Sequence, residues 1–193
     1  TKDFVIDETI GLGLSDKSFF KQAIPKLEQI VKENKNFYGT MIMLTNHTPF
    51  VEIEDISEFE VDYKYESINS KTGKTEIVSA PYLEGTLLGS YFKSVNYADS
   101  ALSQFLDDLD ETGLLDNNVV VIYGDHDARL SLNDFNLLYN YDPITDKVKK
   151  EDDEGYISYN KYTYELDKKV PFIIWTKEKE FNMPVHSHKR GET

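Results

Sequence analysis

The sequence predicts an α/β fold, a mostly parallel sheet with helices on both faces, and three observations carry that prediction. Segments 16–34 and 85–112 repeat apolar residues three and four apart, the period of a helix with one buried face. Segments 37–45, 119–123 and 170–175 are short, nearly unbroken apolar runs, the pattern of strands covered on both sides. Helical and strand-like segments alternate along the chain, as a parallel sheet with helical crossovers requires.

In the first helical segment Ser15 and Asp16 are candidate N-caps, and Phe19, Phe20, Ile24, Leu27, Ile30 and Val31 form the apolar stripe. Pro25 lies inside it, so a kink or break is expected near Ala23. Phe37 to Thr45 reads as a buried strand that stops at the polar run Thr45-Asn46-His47-Thr48-Pro49. Residues 51–82 are acidic and tyrosine-rich, with a turn signal at Lys71-Thr72-Gly73-Lys74, and read as a solvated loop or small hairpin. Leu88, Tyr91, Phe92, Val95, Ala98, Leu102, Phe105, Leu106 and Leu109 mark a long helix that Gly113 ends. Val119 to Ile122 is a β-branched strand closed by Gly124-Asp125-His126-Asp127, and Val170 to Trp175 is another, after a polar insert of loops or a hairpin from Asp142 to Lys169.

Composition narrows the function classes. The 193 residues carry 35 acidic against 21 basic side chains, a formal charge of −14. With no stripe of Lys and Arg, a nucleic-acid surface is excluded. The absence of cysteine excludes disulfides, thiolate metal sites and cysteine nucleophiles. No apolar run reaches the ~20 residues of a membrane helix. The length suits one domain of ordinary size or a piece of a larger one, and 11 Phe and 13 Tyr supply bulky core material.

The four histidines are the chemical clue. His47 and His126 each follow an apolar run, and in an open α/β sheet the carboxyl ends of the strands line one crevice. Asp125-His126 pairs a hard oxygen with an imidazole nitrogen, suited to a divalent cation, with Gly124 permitting a tight backbone; the competing reading is a surface turn. His47 is either part of a strand-terminating Asx or ST turn or a donor to a phosphate or sulfate oxygen. His186 and His188, alternate residues of an extended segment, are a further candidate pair, against the reading of a flexible basic terminus. Asp127, Arg129 and the run Glu151-Asp152-Asp153-Glu154 read as solvated surface.

Four ordered blocks together resemble the lipoteichoic acid synthase family. They are Gly13-Leu14-Ser15-Asp16-Lys17-Ser18-Phe19-Phe20, Leu44-Thr45-Asn46-His47-Thr48-Pro49-Phe50, Tyr97-Ala98-Asp99, and Gly113-Leu114-Leu115-Asp116-Asn117 leading to Tyr123-Gly124-Asp125-His126. The resemblance implies a sulfatase-like fold of the alkaline phosphatase superfamily. It also implies a membrane-anchored extracellular enzyme of cell-wall assembly that takes glycerol phosphate from phosphatidylglycerol, holds it on a threonine and passes it to a growing glycerol-phosphate polymer. One divalent cation would serve, manganese ahead of magnesium or zinc. Asp125 and His126 are similar to the family's Asp-His metal ligands, and His47 to the histidine that contacts the substrate phosphate.

The nucleophilic threonine and a metal-binding glutamate would precede residue 1 in that family pattern. Residues 1–193 are therefore expected to be the C-terminal portion of a sulfatase-like catalytic domain, lacking material at both ends. The membrane anchor would lie in the missing N-terminal part, and the chain alone is expected to be inactive and to bind the cation weakly. Two alternatives keep the fold: a metal-dependent sulfatase or phosphodiesterase, with water as final acceptor, and a non-catalytic binding module.

Overall fold

A computed structural model describes residues 3–33, 36–50, 59–61, 63–69, 71–80, 83–142, 145, 147–158 and 170–177. A short hairpin, β1 (Thr9–Ile10) and β2 (Gly13–Leu14), leads into helix α1 (Asp16–Glu33). The hairpin β3 (Tyr63–Ile68) and β4 (Thr75–Ala80) follows, then the long helix α2 (Leu87–Glu111) and strand β5 (Val120–Tyr123). Helix α3 (Leu132–Asn140), the short ladder β6 (Tyr141–Asp142) with β7 (Lys147–Val148), and strand β8 (Phe172–Trp175) complete the described elements.

Helices α1 and α2 pack together because their periodic stripes meet. Phe20 and Ile24 of α1 join Tyr97, Ala101, Phe105 and Leu109 of α2 in one buried cluster, with Phe20 stacked on Phe105 at a ring separation of 4.3 Å. Each buried Phe, Ile or Leu among them contributes about 1.5–3 kcal/mol. Ser15 caps α1 through its carbonyl to Phe19 N and its hydroxyl to Ser18 N, which frees Asp16 for a tertiary role. The helix runs through Pro25 without interruption. Lys21, whose carbonyl loses its i+4 donor there, is exposed, as is Pro25 itself, so no buried group is orphaned at the site of the expected break.

Helix α2 starts at Thr86, whose hydroxyl accepts from Gly89 N, and stops before Gly113, which takes the left-handed φ of 73°. Within its buried face, the Tyr97 hydroxyl has no partner at hydrogen-bonding geometry among the described residues. Burial pushes this phenol up to about 12, outweighing the nearby Ser15 hydroxyl, which acts the other way, while Glu8 and Asp16 add to the rise. A raised folded-state value means stability that is complete below pH ~10, the ordinary phenol range, and is lost as pH climbs toward 12. Tyr97→Phe is therefore expected to be neutral or up to about 1 kcal/mol stabilising at pH 7 and to flatten the loss of thermal stability between pH 10 and 12. A melting series over that range checks both outcomes.

The region 51–82 contains the small hairpin expected, with β3 and β4 antiparallel over six residue pairs. Its turn is set by Asn69, whose side-chain oxygen accepts from Lys71 N and Thr72 N, and by Gly73 at φ 66°. Elsewhere the strands differ from expectation in direction, burial and extent. The strand pairs among the described residues are antiparallel, including β5 with β8, and a continuous apolar run carries no information on strand direction. Nor is that pair covered on both sides: β5 alternates half-buried and exposed residues and β8 is exposed along its length. Residues 36–44 form no strand and are largely exposed, with Tyr38 at 92% and Ile42 at 67%. An apolar run becomes a strand only beside a partner, and none stands next to this one among the described residues.

Beyond β8, Lys177 bridges Asp110 and Asp116, tying this strand's end to the turn after α2, and the two carboxylates raise its ammonium pKa. Helix α3 was not foreseen, although Ser131 and Asp134 form a reciprocal capping box ahead of Phe135, Leu137 and Leu138. Among the described residues no helix is long and apolar enough to cross a membrane.

Candidate functional site

Two loops converge because both send apolar side chains into the same core beneath them. The loop after residue 44 buries Phe50, and the loop after β5 buries Leu130 with Ala128 packed beside it. These residues meet Leu88, Tyr91 and Phe92 at the start of α2. Phe50 and Tyr91 lie with ring centroids 5.1 Å apart. Burial pushes the Tyr91 phenol up, and the Asp127 carboxylate adds to the shift.

The shared anchorage brings His47 and His126, 79 positions apart in sequence, to a ring separation of 6.0 Å at an interplanar angle of 85°. The two rings are held alike. His47 Nδ1 lies 2.7 Å from Thr48 O, and His126 Nδ1 lies 2.6 Å from Asp127 O. Each contact places a proton on Nδ1, because a carbonyl only accepts. The Nε2 atom is then available as a lone pair in the neutral ring or as a donor in the cationic one.

Asp125 stands beside this pair, its Oδ1 3.9 Å from His126 Nε2. Two ligands bonded at about 2.1 Å to one cation lie about 3–4 Å apart, so this spacing suits a shared divalent ion. The donors are chemically apt, one carboxylate and one imidazole whose other nitrogen is fixed by a carbonyl. No group of three or more candidate metal-ligating side chains occurs among the described residues. Asp125 and His126 could by themselves supply two donors to such an ion.

Gly124 has no left-handed φ, so backbone freedom is not its role. A Cβ there would come within 2.8 Å of Val170 Cβ, and Gly124 N donates to Pro171 O. Glycine is required for close approach of the segment that leads into β8. Arg129, exposed, holds φ 54°, with its N–H donating to the Asp127 carboxylate. The run 151–154 is exposed, as read. His186 and His188 lie outside the described residues.

Sequence reasoning missed the residues that hold the His47 loop in place. Asp16, 1% exposed, accepts from Leu44 N and Thr45 N, and Asp16 N donates to Thr45 Oγ1. On the other side Ser94 Oγ lies 2.6 Å from Asn46 Oδ1 and 2.7 Å from Tyr91 O. One hydroxyl proton serves one acceptor, so the Asn46 amide oriented with its NH2 toward Ser94 satisfies both contacts. These partners are 29 and 48 positions apart.

The Sulfatase family model matches residues 4–189. Lipoteichoic acid synthase 1 of Bacillus subtilis is 39% identical over 128 residues, 66% of this chain and 17% of that protein. Lipoteichoic acid synthase of Staphylococcus saprophyticus is 30% identical over 151 residues, 78% of this chain and 19% of that protein. Among solved structures, the lipoteichoic acid synthase LtaP from Listeria monocytogenes aligns with a TM-score of 0.56 at 28% identity, over 90% of this chain and 35% of that one. A Vibrio parahaemolyticus protein of the alkaline phosphatase superfamily aligns at a TM-score of 0.50 and 20% identity, over 92% of this chain and 31% of that one, and shows the fold. The chain thus spans under a fifth of the curated relatives it matches. With the family model spanning nearly all of the chain and the neighbouring structures sharing its α/β fold, this polypeptide belongs to the sulfatase family, alongside the lipoteichoic acid synthases.

Proposed function

We propose that these residues are the C-terminal portion of a sulfatase-like catalytic domain whose reaction is phosphoglycerol transfer, from phosphatidylglycerol to a growing glycerol-phosphate chain. The convergence of His47 on His126 and Asp125 supports the reading: a histidine able to donate to a phosphoryl oxygen lies beside a carboxylate and an imidazole suited to a cation. The lipoteichoic acid synthases among the relatives favour the glycerol-phosphate substrate. The exposed apolar side chains of β8 and of residues 36–44 favour further sheet from polypeptide outside residues 1–193.

In this reading a threonine N-terminal to residue 1 attacks phosphorus, forming a P–O bond as the bond to diacylglycerol breaks, and diacylglycerol leaves with a proton. An acceptor hydroxyl then attacks the phosphothreonine, taking the glycerol phosphate and returning the threonine hydroxyl. Asp125 and His126 Nε2 would hold a divalent cation, with manganese favoured, which when bound lowers the hydroxyl's pKa and offsets charge on the transferring group. His47 in its cationic form donates from Nε2 to a phosphoryl oxygen while Thr48 O fixes its ring. His126 is oriented in the same way by Asp127 O. The active protein would work at the extracellular face of the membrane, anchored by segments outside this chain. Residues 1–193 alone would be inactive and bind the cation weakly.

Product analysis tests the reading. Full-length polypeptide with phosphatidylglycerol vesicles and manganese is expected to release diacylglycerol and lengthen a glycerol-phosphate polymer. Free glycerol phosphate without polymer would instead establish the hydrolytic alternative that the Sulfatase match allows. No turnover in the presence of manganese would favour a binding module.

A further inference from the structure

The geometry points to Asp16 as a positioning residue for His47, acting through the backbone of Leu44 and Thr45. This inference rests on the proposed role of His47 and deepens it. Asp16 sits at the start of α1 and is 1% exposed, yet its carboxylate makes no ion pair among the described interactions. Its acceptors are used on main chain: Oδ1 takes Leu44 N at 2.9 Å, and Thr45 N lies 3.4 Å from Oδ1 and 3.3 Å from Oδ2. Thr45, 2% exposed, returns the contact by accepting from Asp16 N at 3.0 Å.

The clamp connects directly to the histidine. Leu44, whose N–H is held by Asp16, offers its carbonyl to His47 N at 3.1 Å and so closes the turn that presents the ring. Burying a carboxylate is costly, and burial does raise the Asp16 pKa while the two amides lower it. A helix N-terminus alone needs no such residue, because Ser15 already caps α1. What the carboxylate achieves is to fix Leu44 and Thr45, the two residues at which the apolar run 36–44 gives way to the turn that presents His47.

The alternative is that Asp16 only stabilises the fold. A double-mutant cycle separates the two in full-length polypeptide, assayed as diacylglycerol release from phosphatidylglycerol vesicles with manganese. Asp16→Asn keeps the size but turns an NH2 toward backbone N–H donors. A misplaced reacting group costs up to about a hundredfold, so kcat is expected to fall about tenfold to a hundredfold with manganese affinity unchanged. In a His47→Ala background the same substitution is expected to change kcat less than about twofold, since the residue it positions is gone. Thr45→Val, which removes the reciprocal acceptor, should follow the same pattern more weakly. Equal losses in both backgrounds would overturn the inference.

Hydrogen exchange supplies an arm independent of substrate. In Asp16→Asn the amides of residues 44–48 are expected to lose protection while α2 keeps its own. Unchanged protection at 44–48 overturns the positioning role. If wild-type protein leaves the lipid untouched, the functional reading has failed, and the exchange result alone decides the role of Asp16.

Discussion

Asp125→Ala in full-length polypeptide is expected to abolish transfer, lowering turnover by about a thousandfold or more, and to weaken manganese binding in the same protein. The magnitude follows from what the pair would hold. A cation at a transferring phosphoryl group supplies several kcal/mol of transition-state stabilisation, and at 1.36 kcal/mol per tenfold, about 4 kcal/mol is a factor of a thousand. Asp125 is the anionic partner of the two, and its side chain is 77% exposed, so its loss should cost little stability. Activity and folding are therefore separable in this variant. His126→Ala should match it. Asp127→Asn, which keeps the carbonyl that fixes His126 Nδ1, should be far milder, below about tenfold. Manganese titration by calorimetry or paramagnetic resonance, beside the turnover assay, checks the set. Wild-type cation affinity in Asp125→Ala would sink the ligand assignment.

Helices α1 and α2 were legible because their signal is local. Phe20, Ile24, Phe105 and Leu109 announce a buried face through spacing alone, and they form the core cluster. Gly113 ended the long helix where expected, in the left-handed conformation. His47 and Asp125-His126 could be grouped as candidates for a related reason, since each follows an apolar run and such runs lead toward one edge of an α/β sheet. That the rings meet is decided by Phe50, Ala128 and Leu130 sharing a core with α2, which no local pattern displays.

The strands were less legible. The apolar run Val119 to Tyr123 marks a strand, but its burial, direction and partner depend on residues elsewhere: Phe172 to Trp175 run antiparallel to it, and Val121 and Tyr123 stay exposed. Residues 36–44 carry a strand's composition without a strand's neighbour. Asp16 looked like a capping residue because Asp commonly caps helices. Only the fold reveals that Ser15 takes that task and that Asp16 reaches Thr45.

Gly89→Ala is expected to be the most disruptive single-methyl change in the described structure, lowering stability by about 3 kcal/mol or more. Helix propensity argues the other way, since alanine in place of glycine favours a helix by about 1 kcal/mol. Sterics decide the sign. A Cβ on Gly89 would sit 1.9 Å from Leu83 O and 2.8 Å from Leu83 C, both backbone atoms that no rotamer change can move. Leu83 is itself a buried core residue, and its carbonyl accepts from the Thr86 hydroxyl that caps α2. Relief of the clash must therefore displace either the helix start or the cap. Since about 2–4 °C accompanies each kcal/mol in a domain of this size, the midpoint should fall by roughly 6–12 °C. Gly85→Ala is the control: it has open space around it but φ 70°, so it reports conformational strain without a clash, about 1–2 kcal/mol. The damage should also reach the site, because Tyr91 and Ser94 lie within two turns of Gly89 and hold the two histidine loops. An unchanged melting temperature in Gly89→Ala would contradict the close approach of Leu83 to α2, and with it the account of how that helix is anchored beneath His47 and His126.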